Sequence, residues 1–368
     1  MKRIFSAPTK VDLCVTARCN MKCKHCFASS LARAAAKETT LEELKHIIDR
    51  LHEAKVFSII LTGGEPLVRG DFFDIVRYIK RYPVRLGLNT NAALVTDEIS
   101  KRISESDFKS RISVSLDGSN KETYESLRGP GTFEPAIKGL ENLLRHNKNV
   151  RPFSVVTRYN LNDLENIVKL VKSLGAPRIE FNSLMPGERA ACYADMFLSA
   201  TEKIEALEKI LELKEIYGRY VSGSFVRTAT KAKKLRETRD EELLKLKAGL
   251  LQNCDAGFGM AAVRADAKVA PCYAMMDYVV GDLLKDSLKN IWRFSPELKE
   301  FRRMHDVSLD DIETCKECIY KGVCNAGCRA GAYYDSGKTR LDTRDPAGCY
   351  LFLREGAFHP RGEKKRFT

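Results

Sequence analysis

Val11-Asp12-Leu13-Cys14-Val15-Thr16-Ala17-Arg18-Cys19-Asn20-Met21-Lys22-Cys23-Lys24-His25-Cys26 decides how this 368-residue chain is read. The run 11–15 is apolar and β-branched enough to be a buried strand. Directly behind it, Cys19-x3-Cys23-x2-Cys26 places three thiols within eight residues. Three thiolates can occupy three corners of a four-iron, four-sulfur cube and leave the fourth iron free of protein ligands. A structural zinc ion is the alternative, but it takes four ligands, and no fourth lies nearby.

Working outward, further β-like runs at 57–61, 85–89, 112–116, 153–156 and 179–182 alternate with amphipathic helical stretches. Leu41, Leu44, Ile47, Ile48 and Leu51 share one helix face, and Thr40-x-x-Glu43 is a capping box at its start. The stretches 72–82, 98–106, 134–145 and 164–174 read as helices in the same way. Six βα repeats predict an α/β fold with a parallel sheet, a partial (β/α)6 TIM-like barrel, whose function belongs at the C-terminal strand ends.

Residues 1–200 form this barrel unit. Residues 201–252 read as a charged helical linker region, and 253–355 as a cysteine-rich extension with a hairpin at 260–264 and 268–272. Residues 356–368 make a basic tail.

Twelve cysteines without a signal peptide point to metal ligation in a reducing compartment, hence a cytoplasmic protein. No apolar run is long enough to span a bilayer. The net charge of +13 favours an anionic partner, and the scarcity of glutamine (Gln252 alone) with 30% charged residues also fits a thermophile.

Around the cysteine loop, Gly63-Gly64-Glu65-Pro66 follows the second strand, Asn89-Thr90-Asn91 ends the third and Ser115-Leu116-Asp117-Gly118 ends the fourth. Together with the triad, these motifs closely resemble the radical S-adenosylmethionine (SAM) superfamily. The resemblance implies that Cys19, Cys23 and Cys26 hold a [4Fe–4S] cluster whose open iron chelates SAM. It also implies that Gly63, Gly64 and Glu65 form the motif that meets the SAM ammonium. Asn91 and Ser115 are candidate SAM contacts, and Arg128 a candidate partner of its carboxylate. Helix capping and surface exposure are the plainer readings of Ser115 and Arg128. His25, where the family usually has an aromatic, packs near the adenine on this reading.

Cys254, Cys272, Cys315-x2-Cys318-x5-Cys324-x3-Cys328 and Cys349 resemble the SPASM extension, which carries two auxiliary clusters. One or two zinc sites are the alternative. By resemblance Cys315, Cys318, Cys324 and Cys349 ligate the distal cluster, and Cys254, Cys272 and Cys328 the nearer one. The nearer cluster is then one ligand short, to be met by Asp255 or a substrate atom. Ala267 replaces the family's glycine five residues before Cys272. Cys14 reads as a buried apolar residue, and Cys192 as a plain cysteine.

The resemblance implies three [4Fe–4S] clusters, SAM, and ferredoxin or flavodoxin as electron donor to an oxygen-sensitive, anaerobic oxidoreductase. The expected reaction is oxidative modification of a peptide or protein side chain. The alternative is oxidative decarboxylation or maturation of a carboxylated cofactor precursor such as a haem-type tetrapyrrole. Only about ten residues precede the first strand, so a leader-gripping N-terminal domain is not expected. Tyr273, where formylglycine-forming relatives tend to have Asp, is an acid/base candidate or a packing residue. A non-enzymatic Fe–S electron carrier or a zinc-stabilised nucleic-acid binder is the reading from another class. Against it, the chain lacks the aromatic–basic interleaving of RNA platforms, and a carrier needs no Gly-Gly-Glu motif.

Overall fold

The computed structural model describes residues 5–26, 38–185, 187–251, 255–345 and 348–353. Cys254 and the basic tail lie outside them.

The strands β1 (Lys10–Thr16), β2 (Ser58–Gly63), β3 (Arg85–Thr90), β4 (Ile112–Ser115), β5 (Val150–Val156) and β6 (Ile179–Ser183) pair in sequence order, each parallel to the next. The helices between them are α1 (Leu41–Glu53), α2 (Phe72–Ile79), α3 (Asp97–Glu105), α4 (Lys121–Arg128), α5 (Phe133–His146) and α6 (Leu164–Ser173). Amphipathic spacing explains their seating. α1 buries Leu44, Ile47, Ile48 and Leu51, while α6 buries Leu164, Ile167, Val168 and Val171. Thr40 and Glu43 close the expected capping box on α1, with bonds of 3.2 and 2.8 Å. Helix cover accounts for the almost continuous burial of β1.

Residues 188–244 carry the short α7 (Glu188–Ala191), then α8 (Ala200–Tyr217), the edge strand β7 (Val221–Ser222), α9 (Ser224–Glu237) and α10 (Asp240–Leu244). β7 adds to β6 in parallel, so this region continues the wrap of the sheet.

The cysteine-rich segment also joins the sheet. β8 (Met260–Val263) pairs in parallel with β1, Lys10 opposite Met260, and turns back into β9 (Lys268–Ala270) and β10 (Gly281–Asp282). One ten-stranded sheet results, in the order β10-β9-β8-β1-β2-β3-β4-β5-β6-β7. Helices α11 (Leu288–Phe294), α12 (Pro296–Arg303) and α13 (Arg329–Asp335) complete the extension. Trp292 on α11 is buried and donates to the carbonyl of Phe5 at 3.0 Å, which ties the extension to the segment before β1.

The β8–β9 turn forms without the glycine of the family pattern. Ala267 takes φ +68° and donates its N–H to the Arg264 carbonyl at 3.0 Å. A left-handed alanine costs roughly 1 kcal/mol. Ala267→Gly is therefore expected to raise stability by about 0.5–1 kcal/mol, partly offset by lost packing of the buried methyl. Urea titration checks it, and a loss of stability would show that the methyl's packing outweighs the strain.

Candidate active site

Two backbones meet at the C-terminal ends of β1 and β2. Gly64 N–H donates to Thr16 O and Glu65 N–H to Arg18 O, each at 2.9 Å. A Cβ on Gly63 would lie 2.2 Å from Thr16 O, and one on Gly64 2.1 Å from Arg18 O. Both glycines are therefore required by the approach of the cysteine loop to the motif, backbone against backbone. A further bond, Lys24 N–H to Leu127 O at 2.8 Å, holds the loop to the end of α4.

The three thiols of this loop are near enough to influence one another. Burial pushes Cys19 up to about 11, and the charges of Glu65, Cys23 and Cys26 add to the rise. Cys19 is thus a thiol at neutral pH in the metal-free chain, and a metal would displace its proton.

Glu65 is buried, and both of its oxygens are held. Oε1 accepts from Thr90 Oγ1 at 2.8 Å and Leu67 N at 3.3 Å, and Oε2 from Asn91 N at 2.7 Å. Burial nevertheless raises its pKa to about 7, against the pull of those bonds and of Arg128. Asn91 extends the network: its Nδ2 donates to Asn20 Oδ1 at 2.8 Å and lies 3.9 Å from Cys19 Sγ. Ser115 closes β4 on the same rim, half-buried.

Asp117 was not singled out in the sequence, yet it is the hub of the loop's other side. It is fully buried, accepts from Val155 N at 2.7 Å, and its Oδ2 lies 2.6 Å from Arg128 Nη2 and 3.1 Å from His25 Nε2. Burial alone would raise its pKa, but Arg128 and His25 hold it well below the usual carboxylate range. Arg128 is itself buried and directs Nη1 at Cys23 Sγ, 3.7 Å away. Its Nε and the Nδ1 of His25 are buried without a partner. Orphaned donors beside three thiols, with a buried carboxylate on the other flank, fit a polar ligand and an anionic cluster in this cradle.

In the extension, burial raises Cys315, with the charges of Cys349 and Cys318 adding to the rise, and burial lifts Cys324 to about 11, with those of Cys349 and Cys315 adding. Cys328 caps α13, where its N–H donates to the buried Asp345 Oδ2 at 3.0 Å. Tyr334 on the same helix senses the charge of Cys272. Asp255 is exposed at a turn, its carbonyl accepting from Phe258, Gly259 and Met260. Among the described residues no three Cys, His, Asp or Glu groups converge as the ligands of one ion do.

Tyr273 links the two regions: its hydroxyl donates to Gly63 O at 2.7 Å. Burial, with the charges of Cys14 and Cys26, pushes its pKa well up, so it keeps its proton. Cys14 is buried among Ala262, Ala270, Met276 and Tyr273, whereas Cys192 is exposed after α7.

The radical SAM superfamily model matches residues 13–171, and an iron–sulfur cluster-binding SPASM model matches residues 254–319. An AdoMet-dependent heme synthase of Methanosarcina barkeri is 30% identical over 349 residues, 92% of this chain and 95% of that protein. The chain belongs to the radical SAM superfamily, SPASM branch. The mycofactocin maturase MftC of Mycolicibacterium smegmatis is also 30% identical, over 99% of this chain and 87% of that one. Among solved structures, Streptococcus suis SuiB bound to precursor peptide SuiA aligns with TM-score 0.70 at 15% identity, covering 93% of this chain and 76% of that one. Native anSMEcpe with bound AdoMet aligns at 0.65 and 20% identity, covering 88% and 89%. The protein is a SAM-dependent iron–sulfur enzyme, and no helix among its described residues is long and apolar enough to cross a membrane.

The SAM contact that the resemblance implies for Glu65 would have a measurable signature. Its raised pKa means that the free fold gains from its protonation and loses that contribution as pH rises through about 7. Pairing with the ammonium of SAM needs the carboxylate. SAM affinity is therefore expected to fall towards about tenfold per pH unit below 7. Glu65→Gln should abolish this slope and weaken binding by about 1.5–3 kcal/mol. Calorimetry between roughly pH 6 and 8 checks both, and an unaltered slope in the variant would remove Glu65 from the SAM contact.

Proposed function

We propose that this chain reductively cleaves SAM and uses the radical to oxidise a carboxylate-bearing tetrapyrrole of the haem-precursor type. When bound, the first cluster with SAM supplies a 5′-deoxyadenosyl radical, and two auxiliary clusters supply one-electron redox capacity. Cys19, Cys23 and Cys26 hold the first cluster. Cys315, Cys318, Cys324 and Cys349 hold the distal one, and Cys254, Cys272 and Cys328 the nearer. Glu65 takes the SAM ammonium. The partnerless Nε of Arg128 is a donor for the SAM carboxylate, while its other nitrogens steady Asp117 and Cys23. Asn91 and Ser115 stand on the rim that receives SAM. Tyr273, protonated and fixed on Gly63 O, positions the extension against that motif.

The observation that carries the substrate reading is likeness over almost the whole chain to AdoMet-dependent heme synthases. The net charge of +13 suits a polycarboxylate. In the reaction, a propionate side chain would give a hydrogen atom to the radical, yielding 5′-deoxyadenosine, and would then lose CO2 and pass one electron to an auxiliary cluster, leaving an alkene. A one-electron carrier of the ferredoxin or flavodoxin kind completes the cycle in a reducing, anaerobic cytoplasm. The likeness to a mycofactocin maturase supports a peptide as the second reading.

The test is anaerobic incubation of the reconstituted enzyme, roughly 12 iron per chain, with SAM and dithionite. One arm contains carboxylated iron tetrapyrroles and the other a mycofactocin-type precursor peptide. Loss of carboxyl groups from the tetrapyrrole, seen by mass spectrometry and coupled to 5′-deoxyadenosine, supports the reading. Unchanged tetrapyrroles beside a modified peptide would transfer it to the second.

A further inference from the structure

α9 carries Arg227, Lys231 and Lys234 along one side of a groove of about 820 Å³, and Lys214 at the end of α8 closes the rim. Among the described residues no carboxylate lines this groove, and its apolar lining includes Val226, Leu235, Leu243 and Val323. Two cations elsewhere on the same helices are paired: Arg236 meets Glu208 at 2.6 Å and Lys209 meets Glu205 at 3.8 Å. Those of the groove meet no acid among the described residues. Lys214 donates to the carbonyls of Gly218 and Val221, and Lys231 to that of Val323.

A second observation concerns what lies behind the rim. Val323 immediately precedes Cys324, so the Lys231 ammonium, in donating to the Val323 carbonyl, bonds the backbone directly before that thiol. The same ammonium sits 5.3 Å from the centroid of the Tyr350 ring, and Tyr350 directly follows Cys349 in the chain. The basic rim is therefore one side-chain layer from a thiol of the distal set.

We infer that this groove docks a small acidic one-electron carrier protein, beside the cluster that Cys324 helps to hold. The inference rests on the proposed distal cluster. An apolar lining inside a ring of unpaired cations is the anatomy of a transient protein interface: the lining supplies contact, and the cations steer an acidic surface into register. Leu246, 44% exposed on the groove wall, extends the apolar contact beyond what a small anion would cover. In the exchange the reduced carrier loses one electron and the distal cluster gains it, with no atom transferred.

The experiment uses the cluster-loaded enzyme and a purified acidic flavodoxin. Binding is measured by calorimetry at low and high ionic strength, and stopped-flow absorbance follows oxidation of the flavodoxin hydroquinone. Arg227→Glu with Lys234→Glu reverses two exposed rim charges and leaves Lys231 in place. Lys148→Glu with Lys289→Glu, exposed outside the groove, is the matched control. The groove pair is expected to weaken binding at least about tenfold at low salt and to flatten its salt dependence, while the control stays within about twofold. Iron content and dithionite-driven SAM cleavage should be unchanged in both. Equal affinities for the groove pair and the unsubstituted enzyme, or equal losses in groove pair and control, would overturn the docking site. Iron content showing no distal cluster would instead fail the reading beneath it, before any carrier is added.

Discussion

Replacing Cys19, Cys23 and Cys26 together with Ala is expected to reduce 5′-deoxyadenosine formation under dithionite by at least about a thousandfold, to background. The reason is chemical and local. These thiols stand on a loop whose shape is set by backbone bonds, Gly64 to Thr16, Glu65 to Arg18 and Lys24 to Leu127. None of these bonds involves a sulfur. Removing the sulfurs therefore leaves the loop strapped to the motif and takes away the proposed ligands, together with the contacts that Met21 N, Asn91 Nδ2 and Arg128 Nη1 make to Cys19 and Cys23 Sγ. On the proposed count of three four-iron clusters, iron per chain should fall by about a third. The thermal midpoint of the metal-free chain should be almost unmoved. Undiminished 5′-deoxyadenosine from the triple variant would place SAM cleavage elsewhere in the molecule.

The same loop shows what the sequence makes legible. Cysteine spacing, the glycine pair after the second strand and the six apolar runs are local signals. The structure returns each within a residue or a few, as with the run at 85–89 and the strand Arg85–Thr90. Long-range placement is different. Met260–Val263 is four residues of apolar side chains, two of them alanine, which suits a hairpin in any setting. Nothing in it specifies parallel pairing with β1, so the extension read as a separate unit rather than as more of one sheet. β7 is only two residues long, too short for any periodic signal, and the stretch around it read as a linker.

The hidden part of the site has the same cause. His25, Asp117 and Arg128 lie on a loop, a strand end and a helix terminus, and each alone has an ordinary explanation: packing, capping, exposure. Only the fold brings them within 3.1 Å of one another through Asp117. The Gly63-Gly64 pair was legible as part of a motif that meets a ligand, but not as the place where another stretch of backbone comes close. Its neighbour is the backbone at Thr16 and Arg18, so the motif shapes the cysteine loop, whatever its part in the proposed SAM contact.

Asp117→Ala is expected to cost the fold about 3–5 kcal/mol, the range for breaking a buried ion pair by removing one partner. Arg128 is 5% exposed and would be left with no carboxylate, and Val155 N–H would lose its acceptor. The pH dependence has a definite sign. Because Arg128 and His25 depress the carboxyl of Asp117, its contribution is present above the ordinary carboxylate range and lost as pH falls through its lowered value. Urea denaturation of the metal-free chain at neutral pH reads the cost without any cluster. Asp117→Asn keeps an acceptor for Val155 and Arg128 but gives up the charge, so it should fall between the unsubstituted chain and the alanine variant. Asp117→Leu combined with Arg128→Met removes both charges and should cost less than Asp117→Ala alone, since the penalty lies in the stranded guanidinium. The cluster loop gives a second readout: with Arg128 freed from Asp117, Cys23 loses a fixed donor, and the first cluster should release iron to a chelator faster in Asp117→Ala than in Asp117→Asn. A cost below about 1 kcal/mol for Asp117→Ala, or equal costs for the single and double replacements, would mean that the pair is solvated and that Asp117 is not what holds the loop.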